Sequence, residues 1–110
     1  MDRTGVPTIS PTELKEELRG PTPPKVIDVR ESDELELSRL PEAIHIPLNQ
    51  LPYRLDELSP DDDLVILCRS GNRSGRATQF LLAQGFARVR NLGTGINGWA
   101  REVDPTLPTY

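Results

Sequence analysis

The chain has 110 residues, 13 Lys and Arg against 17 Asp and Glu, a formal charge of −4, and a single cysteine, Cys68. That length suits one domain over residues 1–110 with its own core, and no run of 18 apolar residues is present to cross a membrane. The negative balance and the few aromatic residues argue against nucleic acid as a partner, while one Cys and one His leave no zinc site and no Cys-x-x-Cys redox pair.

In chain order, Met1-Asp2-Arg3-Thr4-Gly5-Val6-Pro7 lacks the apolar centre of a signal peptide, so a cytoplasmic location is expected. Ser10-Pro11-Thr12-Glu13 combines an N-cap, a proline at the first helical position and a glutamate three residues on; it predicts a helix to about Arg19, ended by Gly20. Pro21-Thr22-Pro23-Pro24 is a short rigid connector. A strand over Val26 to Val29, a helical stretch over Ser32 to Leu37 and a strand over Ala43 to Ile46 follow. His45 alternates with apolar neighbours and reads as an outward strand residue rather than a base. A helix from about Leu51 to Leu58 precedes Asp61-Asp62-Asp63, which after Ser59-Pro60 reads as a solvated turn and not a cation site.

Leu64-Val65-Ile66-Leu67 is a buried strand that delivers Cys68 into Arg69-Ser70-Gly71-Asn72-Arg73-Ser74. Arg73 to Ala83 reads as a helix with Gly85 at its carboxyl cap. Val89 to Leu92 is a last strand, and Ile96 to Val103 a last helix that carries Trp99 into the core. Alternating strands and helices predict an α/β fold, a small parallel β-sheet with helices on both faces. Ligands of such sheets bind beyond the carboxyl ends of the strands, where Cys68 stands.

Strand, cysteine loop and helix in that order aim backbone N–H groups and the positive end of a helix dipole at the loop. With arginines nearby, such a setting favours the thiolate, the nucleophilic form of a cysteine, and makes a general base unnecessary. A buried hydrophobe ending a strand is the plain alternative, but the loop is too polar for it. No acidic residue occurs between Asp63 and Glu102, whereas Arg69, Arg73, Arg76, Arg88, Arg90 and Arg101 do. Arg88, Arg90 and Arg101 read as a solvated basic face. Arg69 and Arg73, within five residues of Cys68, read as a site for a small oxygen-bearing anion. No glycine-rich nucleotide loop is present, so no cofactor is expected.

Cys68 to Ser74 resembles the active-site loop of the rhodanese family of sulfurtransferases. Val26-Ile27-Asp28-Val29-Arg30-Glu31, Leu40 to Leu48, and Asn91-Leu92 through Gly95-Ile96 to Trp99 resemble three further motifs of that family, in its order. The resemblance implies a Cys68 persulfide, formed when the thiolate attacks thiosulfate or a similar small anionic sulfur donor. The sulfur then passes to a thiol, cyanide or a sulfur-carrier protein. It also implies that the amides of residues 69 to 73 surround the persulfide, so that Arg69, Ser70, Gly71, Asn72 and Arg73 form the donor site. Arg30 is a third arginine for that site, its alternative an ion pair with Asp28 or Glu31. Ser70 and Ser74 are placed to bond the sulfur or cap the helix, with capping preferred for Ser74.

Related phosphatases carry Cys-x5-Arg, one residue longer than the Cys-x4-Arg of Cys68 to Arg73, so the phosphatase reading is disfavoured. A non-catalytic binding module or sulfur-relay partner is the other alternative. The chain departs from the family at Arg39, which stands for a histidine, and at Glu42 and Thr94, which stand for glycines. Trp99 to Tyr110 is similar to the end of the rhodanese domain fused to adenylating enzymes, which makes a protein acceptor as reasonable as a small one.

Overall fold

A computed structural model describes residues 5–110; the start of the segment read for a targeting signal, residues 1–4, lies outside them. Among the described residues the sheet has five strands: β1 (Thr8–Ile9), β2 (Lys25–Asp28), β3 (Ile44–His45), β4 (Asp63–Leu67) and β5 (Arg88–Leu92). Their order is β1-β5-β4-β2-β3, and every pairing is parallel. β4 is central because its apolar run needs cover on both faces, and it is hydrogen-bonded to β2 and β5 on its two sides.

The side chains of β4 divide between two cores by strict alternation. Leu64, Ile66 and Cys68 join Ile27, Val29, Ala77 and Leu81 under α3 (Asn72–Ala83), while Val65 and Leu67 join Leu14, Ile96 and Trp99 under α1 (Pro11–Arg19) and α4 (Gly95–Glu102). Helices therefore cover both faces, as the alternation of elements predicts, and Trp99 is core. No helix of the described residues is long and apolar enough to cross a membrane.

Local signals act where expected at two helix ends. Ser10 Oγ accepts from Glu13 N–H, and the Glu13 carboxylate accepts from Ser10 N–H, a complete capping box. At the end of α3, Gly85 has φ +95°, Gly85 N–H donates to the Leu82 carbonyl and Phe86 N–H to that of Leu81, which is a Schellman closure.

Elsewhere the elements are shorter than their sequence signals. The expected helix over Leu51 to Leu58 is two 3₁₀ segments, Leu48–Tyr53 and Leu55–Glu57. Pro52 has no N–H to donate, and Arg54 at φ −125° leaves helical geometry between the two segments. α2 covers only Ser32–Leu35, and β3 two residues in place of Ala43 to Ile46. β1, which pairs Thr8 with Asn91 and Ile9 with Leu92, has no periodicity of its own to announce it.

α4 fixes the segment that follows β4. Ile96 N–H donates to the Cys68 carbonyl at 2.9 Å and Asn97 N–H to the Arg69 carbonyl at 3.2 Å. Gly95, at φ +67°, lies so close that a Cβ there would run into the Arg69 carbonyl and the Ser70 amide. Thr94 has an ordinary φ of −98°, so a side chain is free of strain at that position, whereas Gly95 requires glycine. Gly95→Ala is expected to destabilise the fold by about 2–4 kcal/mol, read from denaturant midpoints.

Candidate active site

β4 ends at Leu67 and places Cys68 at the carboxyl edge of the sheet; four residues later, at Asn72, the chain has turned into α3. Gly71 makes the turn at φ +104°, packed so tightly on the Gly93 carbonyl that no Cβ fits. The Cys68 sulfur accepts from the Gly71 N–H at 3.2 Å and the Ser74 N–H at 3.4 Å, at the amino end of α3. Cys68 is 1% exposed. Arg69, Ser70 and Asn72 are exposed around it, and Arg73 is half-buried.

Ser74 does not cap the helix. Gly71 holds the cap position without a side-chain bond, and Ser74 is instead turned inward, its Oγ 3.2 Å from Cys68 Sγ and 2.6 Å from Asn91 Oδ1. Asn91 Nδ2 in turn donates to the Gly71 carbonyl at 3.0 Å. Asn91 carries no role in the sequence reading beyond opening the Asn91-to-Trp99 motif; its physical signal is an amide between the core residues Val89 and Leu92, a group that must find partners when buried.

Arg30 has no N–H left over for a ligand. It is 0% exposed, and its five N–H bonds are all used: Nε on Asp28 Oδ1, Nη2 on Asp28 Oδ2 and the Ser38 carbonyl, Nη1 on the Glu34 carbonyl and Tyr110 Oη. Burial works against its charge, but the bonds from Asp28 and Tyr110 hold its pKa above the usual arginine value. The ion pair with Asp28, the alternative in the sequence reading, is what forms. Asp28 and Arg30 are structural: they close the loop between β2 and α2. His45 Nε2 donates to the Arg30 carbonyl at 2.7 Å and is likewise a loop tie rather than a base.

Arg73 is brought to the site, but with a partner the sequence reading does not supply. Its Nη1 and Nη2 donate to the two Glu34 oxygens at 2.6 and 2.9 Å. Tyr110 Oη donates to Glu34 Oε2 at 2.6 Å. The Arg73 bonds, aided by Tyr110, hold the Glu34 carboxyl at about 2 despite the opposing effect of burial; the same pair raises Arg73. Arg69 lies over the Tyr110 ring, its Cζ 5.2 Å from the centroid, a cation–π contact. Tyr110 itself is held by Asn97, whose side chain meets both its N–H and its carbonyl.

Arg90 departs from the expected basic face: it pairs with Glu17 at 2.7 Å and Asp63 at 3.3 Å. Arg73 and Arg90, two of the six arginines in the acid-free stretch from residue 64 to 101, are thus paired with acids from outside it. Among the described residues no cluster of His, Cys, Asp and Glu could hold a metal ion.

Glu34→Gln leaves Arg73 without its anion and is expected to destabilise the protein by about 1–3 kcal/mol at neutral pH. The Glu34 carboxyl ionises below its ordinary value of 4.5, so its contribution is complete above that pH and fades as pH falls towards about 2. Urea midpoints of wild type and variant should therefore converge across that window.

A family model described as a rhodanese-like domain matches residues 10–102. A sulfurtransferase of Allochromatium vinosum is 40% identical over 82 residues, 74% of this chain and 77% of that protein. The adenylyltransferase and sulfurtransferase MOCS3 of Arabidopsis thaliana is 33% identical over 118 residues; the match takes in 93% of this chain but only 25% of the longer protein. A crystal structure of a rhodanese-like domain protein from Staphylococcus aureus superposes with a TM-score of 0.81 at 28% identity, covering 94% of this chain and 98% of that one.

Proposed function

The chain belongs to the rhodanese-like domain family of sulfurtransferases, and from that membership we propose that residues 1–110 act as a single domain that carries a sulfane sulfur on Cys68. The observation that supports this most directly is the sulfur itself, set at the amino end of α3 with two backbone N–H groups on it. In the proposed reaction the Cys68 thiolate attacks the outer sulfur of thiosulfate; the donor's S–S bond breaks and sulfite leaves with its electron pair. An acceptor nucleophile then takes the outer sulfur of the persulfide and the Cys68 thiolate returns. A thiol, cyanide or a sulfur-carrier protein fits the acceptor role, the last because of the likeness to an adenylyltransferase and sulfurtransferase.

Arg69, Ser70, Gly71, Asn72 and Arg73 form the proposed donor site. Arg69 is exposed beside the sulfur, and Arg73 spends two of its five N–H bonds on Glu34, so donors remain on both for sulfite-type oxygens. The phosphatase reading stays disfavoured by loop length, since Cys68 to Arg73 is Cys-x4-Arg, one residue shorter than the loop of the related phosphatases.

Intact-mass spectrometry tests the reading. Incubation with thiosulfate should add one sulfur, about 32 Da, and cyanide should remove it; Cys68→Ser should show neither change. Absence of any gain with the thiol still titratable would remove thiosulfate as donor. Arg73→Ala should raise the apparent KM for thiosulfate about ten-fold, the loss expected for one charge-assisted hydrogen bond. An unchanged KM would take Arg73 out of the donor site.

A further inference from the structure

Ser74 and Asn91 are both 0% exposed, and no step of sulfur transfer written above uses either of them. A serine hydroxyl has one hydrogen to give and two lone pairs to accept with. Here it has two claimants: Asn91 Oδ1 at 2.6 Å and Cys68 Sγ at 3.2 Å. Asn91 is not free to reverse the arrangement, because its Nδ2 donates to the Gly71 carbonyl and so leaves Oδ1 facing Ser74. When Sγ carries no negative charge, the shorter contact takes the proton, and a lone pair of Ser74 Oγ faces the sulfur. When Sγ is an anion it has no hydrogen and competes for that proton as a charged acceptor, the stronger kind.

We infer that Ser74 is a second catalytic group, a hydroxyl whose single proton rests on Asn91 while sulfur is bound to Cys68 and turns to Cys68 Sγ as that sulfur is given up. The inference rests on the persulfide reading. In the loading step the Sγ anion forms a bond to the donor's outer sulfur, the donor's S–S bond breaks, sulfite leaves with that electron pair and the two charges thiosulfate brought, and the remaining negative charge lies on the outer sulfur of the persulfide instead of on Sγ. In the discharge step the acceptor bonds to that outer sulfur, the S–S bond breaks, and its electron pair goes to Sγ. Charge therefore disappears from Sγ in the first step and develops on it in the second. A hydrogen bond that strengthens as charge develops lowers the barrier of the second step, because only what is stronger in the transition state accelerates. The same bond makes the resting thiolate a weaker attacker in the first.

The two half-reactions thus respond to Ser74 in different degree, which a role confined to holding the loop would not produce. The test is single-turnover mass spectrometry of the whole protein: loading by thiosulfate, then discharge of the isolated persulfide by cyanide. In Ser74→Ala the ratio of discharge to loading rate constants should fall at least ten-fold. A ratio within two-fold of wild type, with both rates lowered together or neither changed, overturns the inference. If Ser74→Ala does not fold, Asn91→Ala decides: with the resting acceptor gone the proton stays on Sγ and the ratio should rise above wild type, and an equal or lower ratio overturns the assignment. A wild-type protein that takes up no sulfur from thiosulfate or from inorganic polysulfide overturns the persulfide reading and this inference together. A wild type that loads and discharges leaves the variant ratio to judge Ser74 alone.

Discussion

The sharp turn between β4 and α3 constrains everything at the carboxyl edge of the sheet. It brings the chain from a central strand to the first turn of a helix across four residues, and it does so only because Gly71 accepts φ +104° against the Gly93 carbonyl. α4 then locks it from the other side, through Ile96 and Asn97 amides on the Cys68 and Arg69 carbonyls and through the close approach of Gly95. With those contacts made, the Gly71 and Ser74 N–H groups have one direction left to point, and the Cys68 sulfur occupies it. The site is in this sense a property of backbone packing; the side chains around it adjust its charge and its access.

The three arginines expected at the site meet three different fates, and burial decides which. Arg30 is fully buried, where an unpaired guanidinium would be costly, so every N–H is matched and nothing is left for a ligand. Arg73, half-buried, shares its charge with Glu34 and keeps part of its donor set. Arg69 is exposed and lies on the face of Tyr110, a contact that positions the guanidinium without consuming an N–H. Fewer guanidinium N–H groups are accordingly open to a ligand than a count of positive residues suggests.

The sheet, its helices and the cysteine loop are legible in the sequence because each rests on local signals. An apolar run, a capping box at Ser10 and glycines at 71 and 85 act within a few residues of themselves. Glu34, Asn91 and Tyr110 are not legible in the same way. Their partners are 39, 17 and 76 residues distant in the chain, and a carboxylate, an amide or a phenol looks the same in sequence whether solvated or built into a site. Ser74 shows the limit from the other side: serine in a helix's first turn is a sound capping signal, but the glycine at position 71 already makes the turn, which releases the hydroxyl to face the sulfur. The two 3₁₀ segments around Pro52 replace an α-helix for a similarly specific reason, since one missing N–H outweighs the apolar spacing of Leu51, Leu55 and Leu58.

Depth also bears on which sulfur of a persulfide would react. Cys68 Sγ is almost wholly covered, with Gly71, Ser74 and the core packed around it. An added sulfur would stand one bond, about 2.05 Å, farther out, and on the proposed reading it points toward the exposed Arg69, Ser70 and Asn72. A nucleophile arriving from solvent meets that outer atom first, and attack there yields a sulfurated acceptor and a free Cys68. Attack on Sγ would instead form a mixed disulfide and release hydrosulfide, a dead end for transfer, and it would need an approach line through packed backbone. Burial of the cysteine, which at first looks opposed to reactivity, is thus what directs the proposed chemistry to the transferable sulfur.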